Sequence, residues 1–223
     1  MSIGRKPAAL ILLLALAVSL TGCANVRPAA PPTPTDVEAA LMDEGKRLVE
    51  DGDIDGAVSL LEQGLSGAPT SPHILFALGN AYAQAQRLDD AERVYRQVLE
   101  QQPNDPDALS NLGFVLYQAR RFGEALELFE KALKLQPDDA EILYNLGATL
   151  LAQGRVSEAV RRFEAARSAD PELPQVYLGL GFAYTEQGEE EKAAESLRRF
   201  LEFPVDSAWK AQAEQALRAL EEK

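Results

Sequence analysis

A period of 34 residues governs this chain. Pro69, Pro103, Pro137 and Pro171 follow one another at that step, as do Gly45, Gly79, Gly113, Gly147 and Gly181, and Ala57, Ala91, Ala125, Ala159 and Ala193. Large apolar residues keep the same step in Leu41, Leu75, Leu109, Leu143 and Tyr177, in Leu48, Tyr82, Leu116, Leu150 and Tyr184, and in Leu61, Tyr95, Phe129, Phe163 and Leu197. A unit of this length cannot bury its apolar face alone, so consecutive copies stack and each covers its neighbour. The sequence therefore predicts five copies of one structural unit, at 38–71, 72–105, 106–139, 140–173 and 174–207.

Within a unit the apolar residues recur at helical spacing, first as Leu109, Leu112, Gly113 and Leu116, then, after a short break, as Ala125, Leu128, Phe129, Ala132 and Leu133. Each unit is thus a helical hairpin, with its glycine and alanine where two helices must approach closely. Proline ends the second helix. Asp105 and Asp139 stand where an N-cap is needed, and Pro72, Pro106 and Pro174 suit a first turn, where a missing N–H costs nothing. The stretches "LGNAY…DDAERVYRQVLEQQP" and "LGFVL…GEALELFEKALKLQP" resemble the tetratricopeptide repeat. That resemblance implies an all-α, right-handed superhelical solenoid of about five hairpins, whose first helices line a concave side that binds peptide segments. The ends depart from the pattern. Glu44 replaces the leucine of Leu78, Leu112, Leu146 and Leu180, Gly64 and Gly67 each weaken their helix by about 1 kcal/mol relative to alanine, and Pro204 comes one residue early. Residues 208–223 place Trp209, Ala213, Ala216, Leu217 and Leu220 on one stripe, as a capping helix over the last unit would, and Trp209 is assigned to packing.

The N-terminus speaks to localisation. Arg5 and Lys6 precede an uncharged, aliphatic run too short to span a bilayer, so residues 1–22 read as a secretory signal. The tetrapeptide "LTGC", Leu20 to Cys23, is similar to the lipobox of bacterial lipoproteins. The similarity implies that Cys23, the single cysteine, becomes the lipidated first residue of the mature chain, held by two or more acyl chains. An ordinary signal peptide with a stray cysteine is the alternative. Ala24 follows the cysteine in place of an aspartate that would retain it in the inner membrane, which favours the periplasmic face of an outer membrane. Residues 23–37 read as the lipidated cysteine and a tether, in which Ala24 to Asp36, with prolines at 28, 31, 32 and 34, extend up to ~40 Å at ~3.1 Å per residue.

Removing the signal takes two of the 22 basic residues and none of the 35 acidic ones, which leaves a net charge of −15 and disfavours nucleic acid or direct docking on anionic lipid. Acidity serves solubility equally well. His73, the one histidine, has no nucleophile placed beside it, and neither zinc spacing nor a phosphate-binding loop is present, so the reading carries no enzyme, cofactor or metal. One stretch competes. "DGDIDGAVSLLE" fits a calcium loop, with Asp51, Asp53, Asp55 and Glu62 as carboxylate ligands and Gly56 at the sharp turn. In the repeat frame the same residues are a hairpin turn at Gly52 followed by a helix through Ala57 and Leu61, and the two uses exclude each other.

First-helix residues outside the packing columns are Phe76, Asn80, Asn111, Phe114, Tyr117, Tyr144, Asn145, Leu151, Leu178 and Phe182. They are the expected peptide-binding groove, with lateral packing between first helices as the competing use of the rings. The lysine and arginine clamp by which chaperone-binding relatives hold a terminal carboxylate is replaced by amides, aromatics or Glu141. The expectation is a membrane-anchored scaffold whose partners are other envelope proteins or peptide segments. It looks like the pilotin-type lipoproteins that assist pilus or secretin assembly, or those that tether peptidoglycan hydrolases. A calcium-regulated envelope protein is the alternative.

Overall fold

The computed structural model describes residues 33–68 and 70–222. The signal segment, the lipobox with Cys23, most of the tether and Pro69 lie outside the described residues. Eleven α-helices and no strand make up the described part, as five hairpins and a terminal helix. They are α1 (Pro34–Glu50) with α2 (Ile54–Gly67), α3 (Pro72–Gln84) with α4 (Leu88–Gln101), and α5 (Pro106–Gln118) with α6 (Phe122–Leu135). Next come α7 (Ala140–Ala152) with α8 (Val156–Ala169), α9 (Pro174–Gln187) with α10 (Glu190–Leu201), and α11 (Ser207–Glu221). The stretch assigned to the tether, 23–37, overlaps α1. Pro34 sits in the first helical turn, where its missing N–H forfeits no bond, and Asp36 there is favoured by the helix dipole.

Three first helices start on side-chain caps, whereas α9 follows Leu173, which offers no capping oxygen. Ser71 accepts from the Ile74 amide at 3.2 Å, Asp105 from Ala108 at 3.0 Å and Asp139 from Ile142 at 2.9 Å. Three second helices start differently. Arg87, Arg121 and Arg155 offer no capping oxygen, and each forms an ion pair with the carboxylate three residues on: Asp90, Glu124 and Glu158, at 2.7 to 2.8 Å. The turn inside every hairpin passes through one residue with positive φ. It is glycine at Gly52, Gly154 and Gly188, but Gln86 and Arg120 hold φ of 58° and 61° at the equivalent places.

The glycine column has a specific cause. In each hairpin the glycine receives the large residue sixteen positions later, and a Cβ built on it would stand 2.7 Å from the Tyr95 ring at Gly79, 2.9 Å from Phe129 at Gly113 and 2.8 Å from Phe163 at Gly147. Those rings are fully buried, each contributing about 1.5–3 kcal/mol of apolar transfer. Between units, Tyr82 donates to Glu62 at 2.6 Å and Tyr184 donates to Glu164. These are equivalent positions three units apart, each tying a first helix to the second helix before it.

Each helix packs on the next, and the first helices of successive hairpins also touch one another, whereas the second helices have no comparable contact. First helices therefore form the inner face and second helices the outer one. The terminal helix α11 packs on α10 without a matching approach to α9. Ala213 is fully buried in this junction, with Ala216, Leu217 and Leu220 packed around it, but Trp209 is 40% exposed. Trp209 is thus not a packing residue of the expected kind. Lying in the first turn of α11, it reaches past the junction to the inner face.

The Asp51–Glu62 stretch takes the repeat form. Asp53 caps α2 by accepting from the Gly56 amide at 3.0 Å, Gly56, Ala57 and Leu61 are helical, and Glu62 is engaged by the Tyr82 hydroxyl. The positive-φ glycine is Gly52, not Gly56. A helix beginning at Ile54 holds Asp55 and Glu62 nearly two turns apart, so the four carboxylates do not surround a common point, and no cluster suited to a metal ion occurs among the described residues.

Candidate interaction groove

Two cavities open on the inner face. The larger, about 810 Å³, spans α1, α3 and α5, and the smaller, about 320 Å³, lies among α5, α7, α9 and α11. Of the ten expected groove residues, Phe76, Asn80, Asn111 and Phe114 line the first, and Tyr117, Tyr144, Leu151, Leu178 and Phe182 line the second. Asn145 lines neither; its carbonyl accepts from the Thr149 hydroxyl at 2.7 Å. Leu178 is buried at 4% exposure and contributes to the floor.

The rings serve packing and lining together. Phe76 meets the buried Tyr95 edge-on with centroids 5.9 Å apart, and Tyr144 leans on Phe163 at 5.7 Å. Burial pushes the Tyr144 phenol up to about 12. Phe114 is the exception, at 39% exposed, stacked on Tyr117 with centroids 6.4 Å apart. This pair joins the two cavities, since Phe114 faces the larger and Tyr117 the smaller. Among the amides, Asn80 Oδ1 accepts from the Tyr95 hydroxyl at 2.6 Å and from Asn111 Nδ2 at 3.1 Å. Asn80 Nδ2 and Asn111 Oδ1 are left as an adjacent donor and acceptor, a pair that complements a peptide unit.

Groove residues that the sequence reading passed over are Trp209 and Gln212 in the smaller cavity, and Met42, Lys46, Val49, His73 and Asp107 in the larger. The period contains the signal for them. Met42, Phe76, Tyr144, Leu178 and Gln212 form one column, Lys46, Asn80, Phe114, Ala148 and Phe182 another, and His73, Asp107 and Trp209 a third. By this register α11 stands where the first helix of a sixth hairpin would begin.

Helix order, glycine column and inner face all follow one repeat geometry, and the family model described as "Tetratricopeptide repeat" matches residues 48–112, 116–172 and 150–220. The chain belongs to the tetratricopeptide-repeat family. Solved structures agree in fold. PilF of Pseudomonas aeruginosa is 19% identical and superposes with a TM-score of 0.71, covering 84% of this chain and 90% of that one. A MamA from Desulfovibrio magneticus RS-1 is 24% identical at a TM-score of 0.65, covering 75% and 94%, and another MamA is 23% identical at 0.62, covering 75% and 92%. No curated protein matches significantly. As a tetratricopeptide-repeat protein the chain is an interaction scaffold that binds protein partners.

Proposed function

We propose that this chain is a lipid-anchored, non-enzymatic scaffold of the bacterial cell envelope that holds segments of partner proteins along its inner face during assembly of envelope complexes, such as pilus or secretin machinery. The observation that carries the binding part is the stacked Phe114–Tyr117 pair, a large apolar surface open to water at the junction of two cavities. Apolar surface of that kind, rimmed by polar groups, is a mark of an interaction site. The anchoring part is supported by the "LTGC" lipobox and the signal before it, and the placement at an outer membrane by Ala24. No helix among the described residues is long and apolar enough to cross a membrane.

A pull-down from solubilised envelope, followed by quantitative binding of the recovered partner, tests the groove. Truncating buried aromatic anchors commonly costs about 2 kcal/mol, roughly thirtyfold in affinity, whereas outer charges cost little. Phe114→Ala with Tyr117→Ala is expected to lose that much affinity with helicity and melting temperature near normal. Reversing Arg161 and Arg162, both exposed on the second helix α8, is expected to change little. The opposite ranking refutes the groove. Anchoring is tested by Cys23→Ser, which is expected to release the chain from membranes; retention without partners refutes the lipoprotein reading.

A further inference from the structure

The two cavities differ in chemistry, and the difference specifies what fills them. The smaller is lined by Tyr117, Tyr144, Phe182 and Trp209 with alanine and leucine between them, and no charged residue reaches it. A charge brought there loses water without gaining a partner. The larger has an apolar floor of Met42, Val49 and Phe76, but its rim carries Asp43, Glu50, Asp105 and Asp107 against Lys46 and His73. Lys46 pairs with Glu50 at 3.8 Å, and Asp105 Oδ1 caps α5. Asp43 and Asp107 are exposed and form no ion pair among the described residues, which leave the negative field at this end uncompensated.

We infer that the groove takes a partner segment in which bulky apolar side chains lie at one end, seated in the cavity under Trp209, and lysine or arginine residues lie at the other, over Asp43 and Asp107. This rests on the groove reading above and adds the composition and polarity of the ligand. The Phe114–Tyr117 stack, touching both cavities, is the surface over which the segment crosses from one to the other. Other occupants fit less well. A second copy of a chain with a net charge of −13 meets like charge at the acidic rim, and residues 24–32 of the chain itself offer one basic residue, Arg27, and no aromatic. Apolar anchors set how long a complex lasts, while rim charges mainly set how fast it forms and how it responds to salt. The two ends are therefore separable by experiment.

The test pans a phage-displayed library of random peptides about twelve residues long, an extended reach of about 40 Å, against the purified full chain, with the Phe114→Ala, Tyr117→Ala variant as counter-target. Sequences are expected to enrich when they carry tryptophan, phenylalanine or leucine at one end and lysine or arginine at the other. For such a peptide, Trp209→Ala is expected to weaken binding about tenfold at all salt concentrations, and Gln212→Glu, an exposed change that leaves packing intact, is expected to weaken it as well. Asp43→Asn with Asp107→Asn is expected to weaken it several-fold near 0.01 M salt, where the screening length is about 30 Å, and hardly at all near 1 M, where it is about 3 Å. Groove-dependent peptides that are acidic, or whose apolar and basic residues are mixed, overturn this inference and leave the groove standing. Peptides that bind the counter-target equally, or failure of any sequence to enrich, overturn both. Self-association in sedimentation that blocks the peptide makes a second copy the occupant and also overturns the inference.

Discussion

Exchanging the turn residues between hairpins isolates a purely backbone effect. Gln86 and Arg120 hold the left-handed conformation that Gly52, Gly154 and Gly188 hold elsewhere, and a Cβ at any of these three glycines would meet nothing within 4 Å. Crowding is therefore absent and strain alone decides the sign. The left-handed region costs an L-residue about 1–2 kcal/mol, and the extra freedom of glycine in the unfolded chain returns about 0.5–1 kcal/mol of that. Gln86→Gly should then stabilise by about 0.5–1 kcal/mol, and Gly154→Gln should destabilise by a similar amount. The Gln86 side chain loses little, since its contact to the Ala83 carbonyl is 3.5 Å long. Arg120 has its guanidinium 5.6 Å from the Phe122 ring, so Arg120→Gly should gain less. At about 2–4 °C per kcal/mol for a chain of this size, thermal melts followed by circular dichroism should move up by about 1–4 °C for Gln86→Gly and down by as much for Gly154→Gln. Urea midpoints should agree with unchanged slope. Two shifts of the same sign would refute the assignment of strain to these turns.

Three further outcomes follow from the packing. Gly179→Ala should destabilise by about 1–2 kcal/mol in urea, because its Cβ would stand 2.9 Å from the buried Phe163 ring, whereas Gly123→Ala, with nothing within 4 Å, should be neutral or stabilising. Stability should fall above pH 10. Burial holds the Tyr144 phenol at about 12, and burial with the Glu164 carboxylate does the same to Tyr184, so from about pH 10 to 12 the unfolded chain sheds protons that the folded one keeps. Urea melts at pH 8 and 11 measure this, and equal midpoints contradict it. Millimolar calcium should leave the melting temperature unchanged. A native-state site at a hundredfold excess over Kd would add about 2.7 kcal/mol, so a rise of several degrees abolished by Asp53→Asn would restore the calcium loop.

The repeat was legible because stacking imposes one environment on every copy. Gly79, Gly113 and Gly147 recur since each faces a ring, and Asp105 and Asp139 stand at equivalent caps because α5 and α7 begin alike. Features escaped where neighbours differ. The start of α1 at Pro34 escaped because proline-rich sequence and a proline-initiated helix read alike until packing decides. Gln86 and Arg120 escaped because composition does not announce positive φ outside glycine. Trp209 fell on the expected apolar stripe of α11, yet how closely α11 approaches α9 is a tertiary property, and the wider junction there turns a packing position into a wall of the groove.

Because hairpins touch only adjacent hairpins, the solenoid is a mechanical series. A load arriving through the N-terminus acts first on α1 and α2, the first hairpin among the described residues and the one whose second helix carries Gly64 and Gly67. Peeling that pair away removes the Met42 and Lys46 wall of the larger cavity and leaves the cavity under Trp209 whole. Under tension a bound segment would be let go from its basic end first while its apolar end stayed seated. Such a chain would yield in steps, and its hold on a partner would weaken by degrees before it broke.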